Sequence, residues 1–109
     1  MWYYLNMSKE QIKQVIKSAA EKASDMSEVE RLLLFGSYLE GSPRPDSDVD
    51  VLVEFAPSAK VGFFKIYDVQ KSMEKALGRK VDLLTTNQLS RHFRDKVLKQ
   101  AELIYENER

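Results

Sequence analysis

From Asp48 to Phe55 the chain alternates without interruption. Val49, Val51, Val53 and Phe55 fall on one side of an extended strand, and Asp48, Asp50, Leu52 and Glu54 on the other. A branched apolar face of this kind needs a core, so the chain is expected to fold around a sheet with one face covered. The other face carries two carboxylates two residues apart, about 6.5–7 Å between Cα atoms from the rise of a strand. It wants water, a metal ion or a ligand. Upstream, Leu32-Leu33-Leu34-Phe35 is a short apolar run stopped by Gly36, which suits a buried strand. Between the two lies Glu40-Gly41-Ser42-Pro43-Arg44-Pro45-Asp46, a stretch dense in turn formers and expected to stay irregular.

The flanking segments supply helices and further strands. Ser8-Lys9-Glu10-Gln11 reads as a capping box, and Ile12, Val15, Ile16, Ala19, Ala20 and Ala23 then recur on one helical face, predicting a helix from about Lys9 to Ser24. Asp25 to Val29 reads as a polar connection. A second helix is predicted over Phe63–Leu77, ended by Gly78 beside the basic pair Arg79 and Lys80. Val81–Thr85 reads as a strand with Asp82 opposite in phase to Val81 and Leu83. A third helix is expected between Asn87 and Gln100, with Leu89, Phe93, Val97 and Leu98 inward, followed by a short strand at Leu103-Ile104-Tyr105. The order is α-β-β-α-β-α-β. It predicts an α+β domain spanning residues 1–109, a small mixed sheet with helices on one face and the aspartates on the other.

Composition narrows the chemistry. Lys plus Arg and Asp plus Glu both number 17, which offers no basic track for direct nucleic-acid binding. With no cysteine and a single histidine, His92, any resident metal must be held by oxygen, which points to a hard cation such as magnesium. No apolar run approaches the roughly 18 residues of a membrane span, and the expected location is the cytoplasm. Met1-Trp2-Tyr3-Tyr4-Leu5 is too short for a span and lacks a basic start; either it packs on a surface or Met7 is the true first residue.

Three carboxylates are the candidate catalytic and metal-binding set. Asp48 and Asp50 project side by side, and Asp82 joins them if its strand neighbours theirs with the same face outward. Such a group can hold metal ions for phosphoryl-type transfer, or take a proton from an attacking hydroxyl. Gly36 lets backbone approach a ligand closely, and the Ser37 hydroxyl can donate to a phosphate oxygen.

Gly36-Ser37, ten intervening residues, Asp48-Val49-Asp50, and Asp82 on a later strand together resemble the nucleotidyltransferase superfamily that includes DNA polymerase beta. Within it, Leu34-Phe35-Gly36-Ser37-Tyr38 and Pro45-Asp46-Ser47-Asp48-Val49-Asp50-Val51-Leu52-Val53 resemble the minimal nucleotidyltransferases, the MNT-type antitoxins encoded beside HEPN-domain toxins. The resemblance runs from about Leu32 to Thr85. It implies that Gly36 and Ser37 hold the triphosphate of ATP, that Asp48 and Asp50 bind Mg2+, and that Asp82 is the third carboxylate near the acceptor. The implied reaction transfers AMP to a tyrosine of a HEPN ribonuclease, with which the chain would form a hetero-oligomer. One position departs from the pattern: Glu40 stands where relatives often carry a basic residue. A carboxylate there repels a phosphate by about 1 kcal/mol at 4 Å even in water; either Arg44 offsets it or Glu40 points to solvent. Glu40 keeps open a second reading, an antidote that acts by binding alone. Transfer to a small molecule ranks last, because no helical substrate domain is present.

Overall fold

The structure, a computed structural model, describes residues 7–23, 26–36, 48–57, 60 and 62–108. Helix α1 (Lys9–Lys22) starts at the expected capping box. The Ser8 hydroxyl accepts the Gln11 N–H at 3.1 Å, and the Gln11 side chain accepts the Ser8 N–H at 2.8 Å. Its apolar stripe buries Ile12, Ile16 and Ala20, with Val15 and Ala23 packed against the same core.

Strand β1 (Val29–Phe35) begins earlier than its apolar run suggested. Val29 is fully buried, and the polar residues that follow find partners across the sheet. Arg31 stands opposite Glu54 on one side and Glu106 on the other, and is ion-paired to both. Strand β2 (Val49–Phe55) pairs antiparallel with β1. Helix α2 (Phe63–Leu77) then crosses over to β3 (Val81–Thr85), which lies parallel to β2 as such a crossover requires. A 3-10 turn (Thr86–Gln88) leads into α3 (Arg91–Gln100), and β4 (Glu102–Glu106) closes the order antiparallel to β1. The result is a four-stranded mixed sheet in the order β3-β2-β1-β4 with three helices among the described residues.

The alternation of β2 is realised. Val49, Val51 and Val53 join Leu32, Leu34, Val81 and Leu83 in the core under α1 and α2, which contributes Val69, Met73 and Leu77. The opposite face is organised in rows by the register. Asp82 and Asp50 form the first row, Leu84, Leu52, Leu33 and Leu103 the second, and Glu54, Arg31 and Glu106 the third. The leucine row is closed at Leu52, which is 0% exposed, and open at Leu103, which is 47% exposed. Leu52 is therefore a packing residue on the face expected to be open, and it is buried outside the main core, as is Leu89.

Helix α3 departs from the inward reading of its apolar residues. Leu89 is buried, but Phe93 is 60% and Leu98 40% exposed, and no residue of the helix itself is buried. Its N-terminus is fixed locally. The Ser90 hydroxyl accepts the His92 N–H, and an Arg94 guanidinium nitrogen donates to the Leu89 carbonyl at 3.1 Å. On α2, Tyr67 is half exposed with the Lys71 ammonium over its ring, and Phe64 is exposed.

Candidate active site

The parallel register places Asp50 directly opposite Asp82. Residues facing each other on paired strands point to the same side, so the two carboxylates share a face, and Asp48 extends the group as the exposed residue preceding β2. Asp48 and Asp82 are exposed, whereas Asp50 is half-buried between them. Burial, then the charge of Asp82, then that of Asp48, push the Asp50 carboxyl up to about 6. Among the described residues the site is thus a patch of like negative charge, a state that a cation would relieve.

Gly36 closes this patch from the β1 side. It has φ of 84°, the left-handed region that glycine occupies at little cost. A methyl group at its Cα would overlap the Asp50 carboxylate, lying 2.8 Å from Cγ. The glycine is therefore required twice over, by its backbone and by the side chain it makes room for. The sequence suggested a phosphate-facing turn; the contact with Asp50 is an additional role that needed the register of β1 and β2 to be seen.

Among the described residues, no three carboxylate or imidazole groups converge tightly enough to cage an ion unaided. Magnesium rarely asks for such a cage. It keeps several waters and is held by one or two carboxylates with the phosphates of a substrate. The oxygen-only group of Asp48, Asp50 and Asp82, with ionised Asp50 disfavoured by burial and then by its like-charged neighbours, fits a hard divalent ion arriving with a nucleotide. Ser37 and Arg44, expected on the phosphate side, and Glu40 lie outside the described residues, as do Trp2, Tyr3 and Tyr4. Two clefts, of about 610 and 550 Å³, lie elsewhere, one against Arg31, Glu54 and Thr86, the other between α1 and β4. His92 is exposed on α3.

Residues 10–109 match the family model for the polymerase beta nucleotidyltransferase domain. The chain belongs to that family. It is a nucleotidyltransferase. A relative in Methanocaldococcus jannaschii that carries the name of a protein adenylyltransferase is 32% identical over 87% of this chain and 94% of its own length. A solved structure named as a minimal nucleotidyltransferase superposes with a TM-score of 0.70 at 26% identity, covering 88% of this chain and 95% of that one. A chain from the complex of a tri-AMPylated Shewanella oneidensis HEPN toxin with an MNT antitoxin shares the fold. Its TM-score is 0.63 at 17% identity, over 91% of this chain and 73% of that one.

Proposed function

We propose that this nucleotidyltransferase is the antitoxin of a two-component system and transfers AMP from ATP to a tyrosine hydroxyl of a HEPN-domain ribonuclease. The observation that carries the reading is the pairing of Asp50 with Asp82 in one register row, with Gly36 pressed against Asp50. It is supported by the Methanocaldococcus jannaschii relative's name, and by the structural neighbour whose complex holds an AMPylated toxin.

In this reading the Gly36 turn and the Ser37 hydroxyl hold the phosphates, with Arg44 on the same side. Asp48 and Asp50, with Asp82 beside them, would hold Mg2+, which when bound supplies charge neutralisation for the triphosphate. The acceptor oxygen forms a bond to the α-phosphorus of ATP, the bond from that phosphorus to the bridging oxygen breaks, and pyrophosphate leaves. Asp82, exposed at the margin of the sheet, takes the hydroxyl proton. The acceptor is a protein that brings its own docking surface and forms a hetero-oligomer with the chain in the cytoplasm. Direct nucleic-acid binding is not part of the reading, given the neutral charge balance. No helix among the described residues is long and apolar enough to cross a membrane.

The test combines the purified chain, ATP labelled at the α-phosphate, Mg2+ and the HEPN protein encoded beside it. Label is expected on a tyrosine of that protein with the wild-type chain and not with Asp48→Ala. Absence of label in both, with the ribonuclease still neutralised, would select an antidote that acts by binding alone.

A further inference from the structure

We infer that Glu74 is a positioning residue for Asp82, acting through the single peptide unit that joins Lys80 to Val81. The inference rests on the reading of Asp82 as part of the active site. Strand β3 is an edge strand, so every second N–H along it points away from β2 and has no strand to pair with. At Val81 that outward N–H donates to Glu74 Oε2 at 3.0 Å. On the inward side of the same planar unit, the Lys80 carbonyl accepts the Val49 N–H at 3.0 Å. One peptide is therefore gripped from both directions, by a side chain of α2 and by the backbone of β2. The residue after Val81 is Asp82, and the residue after Val49 is Asp50, its register partner. The grip fixes the two strands at the step immediately before their catalytic carboxylates.

Glu74 is built for this task. Its own main-chain carbonyl accepts the N–H of Gly78, at 2.8 Å, where the left-handed glycine ends the helix. The whole turn from Gly78 to Val81 is thus strapped to one residue, by backbone at its start and by side chain at its end. The other carboxylate oxygen pairs with the Lys71 ammonium at 3.2 Å, and only 17% of the Glu74 side chain is exposed. The Val81 N–H, and then Lys71, hold the Glu74 carboxyl below the usual range against the opposing effect of burial. Glu74 is charged at neutral pH and keeps its acceptor oxygen on β3.

The test measures binding of Mn2+ together with an ATP analogue bridged by methylene between the α and β phosphates, by electron paramagnetic resonance on the full chain. Glu74→Ala removes the acceptor, and Glu74→Asp withdraws it by one methylene while keeping the charge. Both are expected to weaken Mn2+ binding by about 10- to 100-fold, the range for groups supporting a metal ligand from behind, and to speed amide exchange at Val81. Glu74→Gln, which retains a carbonyl oxygen, and Lys71→Ala, which leaves the bond to Val81 intact, are expected to bind within about threefold of wild type on the same grounds. Wild-type binding in both Glu74→Ala and Glu74→Asp, with binding lost in Asp82→Asn, would overturn the inference alone. Wild-type binding in Asp82→Asn as well would overturn the reading of Asp82 beneath it. Loss in Glu74→Gln or Lys71→Ala equal to that in Glu74→Ala would assign the effect to charge and overturn the role of the bond.

Discussion

Gly36 and Asp50 occupy one another's space: the carboxylate of Asp50 fills the volume that a side chain at position 36 would need. The turn on the expected phosphate side and the central acid are consequently a single steric unit. Gly36→Ala adds a methyl in a left-handed backbone position and drives it into Asp50. A loss of about 2 kcal/mol of stability is expected, from backbone strain and the forced displacement together. Urea unfolding measures it, and nucleotidyl transfer should fall by more than the unfolded fraction accounts for.

Asp50 makes the pH dependence of the unliganded protein unusual. Its carboxyl is raised from 3.8 to about 6 by burial and by the charges of Asp82 and Asp48. Between those values the folded chain keeps a proton that the unfolded chain has released, so this group's contribution to stability is full below the lower value and is lost as pH rises through the upper one. Asp50→Asn should remove that slope while abolishing transfer. It should raise stability near neutral pH by about 1 kcal/mol, a figure already reduced for solvent screening at a half-exposed group. Thermal melts across the acid range check both, and an unchanged slope in the variant would contradict the assignment.

The leucine row makes a sharper structural prediction. Leu52→Ala should cost about 2–4 kcal/mol, as for any fully enclosed leucine, although Leu52 lies two residues from Asp50 on the same face. Leu103→Ala, in the same row but half exposed, should cost less than about 1 kcal/mol. Denaturant titration of the pair decides whether that face is packed at its centre and open at its margin.

At the far end of the same face, Arg31 separates Glu54 from Glu106. Arg31→Ala leaves the two acids facing across β1 and is expected to destabilise the fold by about 0.5–1 kcal/mol, the scale of partly exposed cross-strand charge pairs. Added salt should shrink the loss, and transfer activity per folded molecule should stay at the wild-type level.

What could be read from the residues follows from how local each signal is. The alternation of Asp48 to Phe55, the capping box at Ser8 and Gln11, and the helix stop at Gly78 are each contained within a few residues, and all appear where expected. The early start of β1 was hidden because Arg31 breaks the apolar run, and only its neighbours on two other strands explain its presence in a sheet. Burial of Leu52 on the polar face, and exposure of Phe93 and Leu98 on α3, depend on which elements lie over which, and periodicity carries no such information. Glu74 was invisible for a related reason. Its partner is a backbone N–H, and no side-chain pattern marks the residue that will reach it.

Asp50 and Asp82 meet only because β2 and β3 run parallel, and parallel neighbours cannot be joined by a tight turn. The β1–β2 pair brings Gly36 up to Asp50 by closing a shorter stretch of chain. Asp82 reaches its place after the whole of α2 has folded across the sheet, a non-local closure that is slow to form. The Asp50–Asp82 row is thus absent from any partly folded chain in which β3 has not docked. In the proposed reading, activity therefore reports the docking of β3 on β2, and a newly made copy becomes competent no earlier than that pairing.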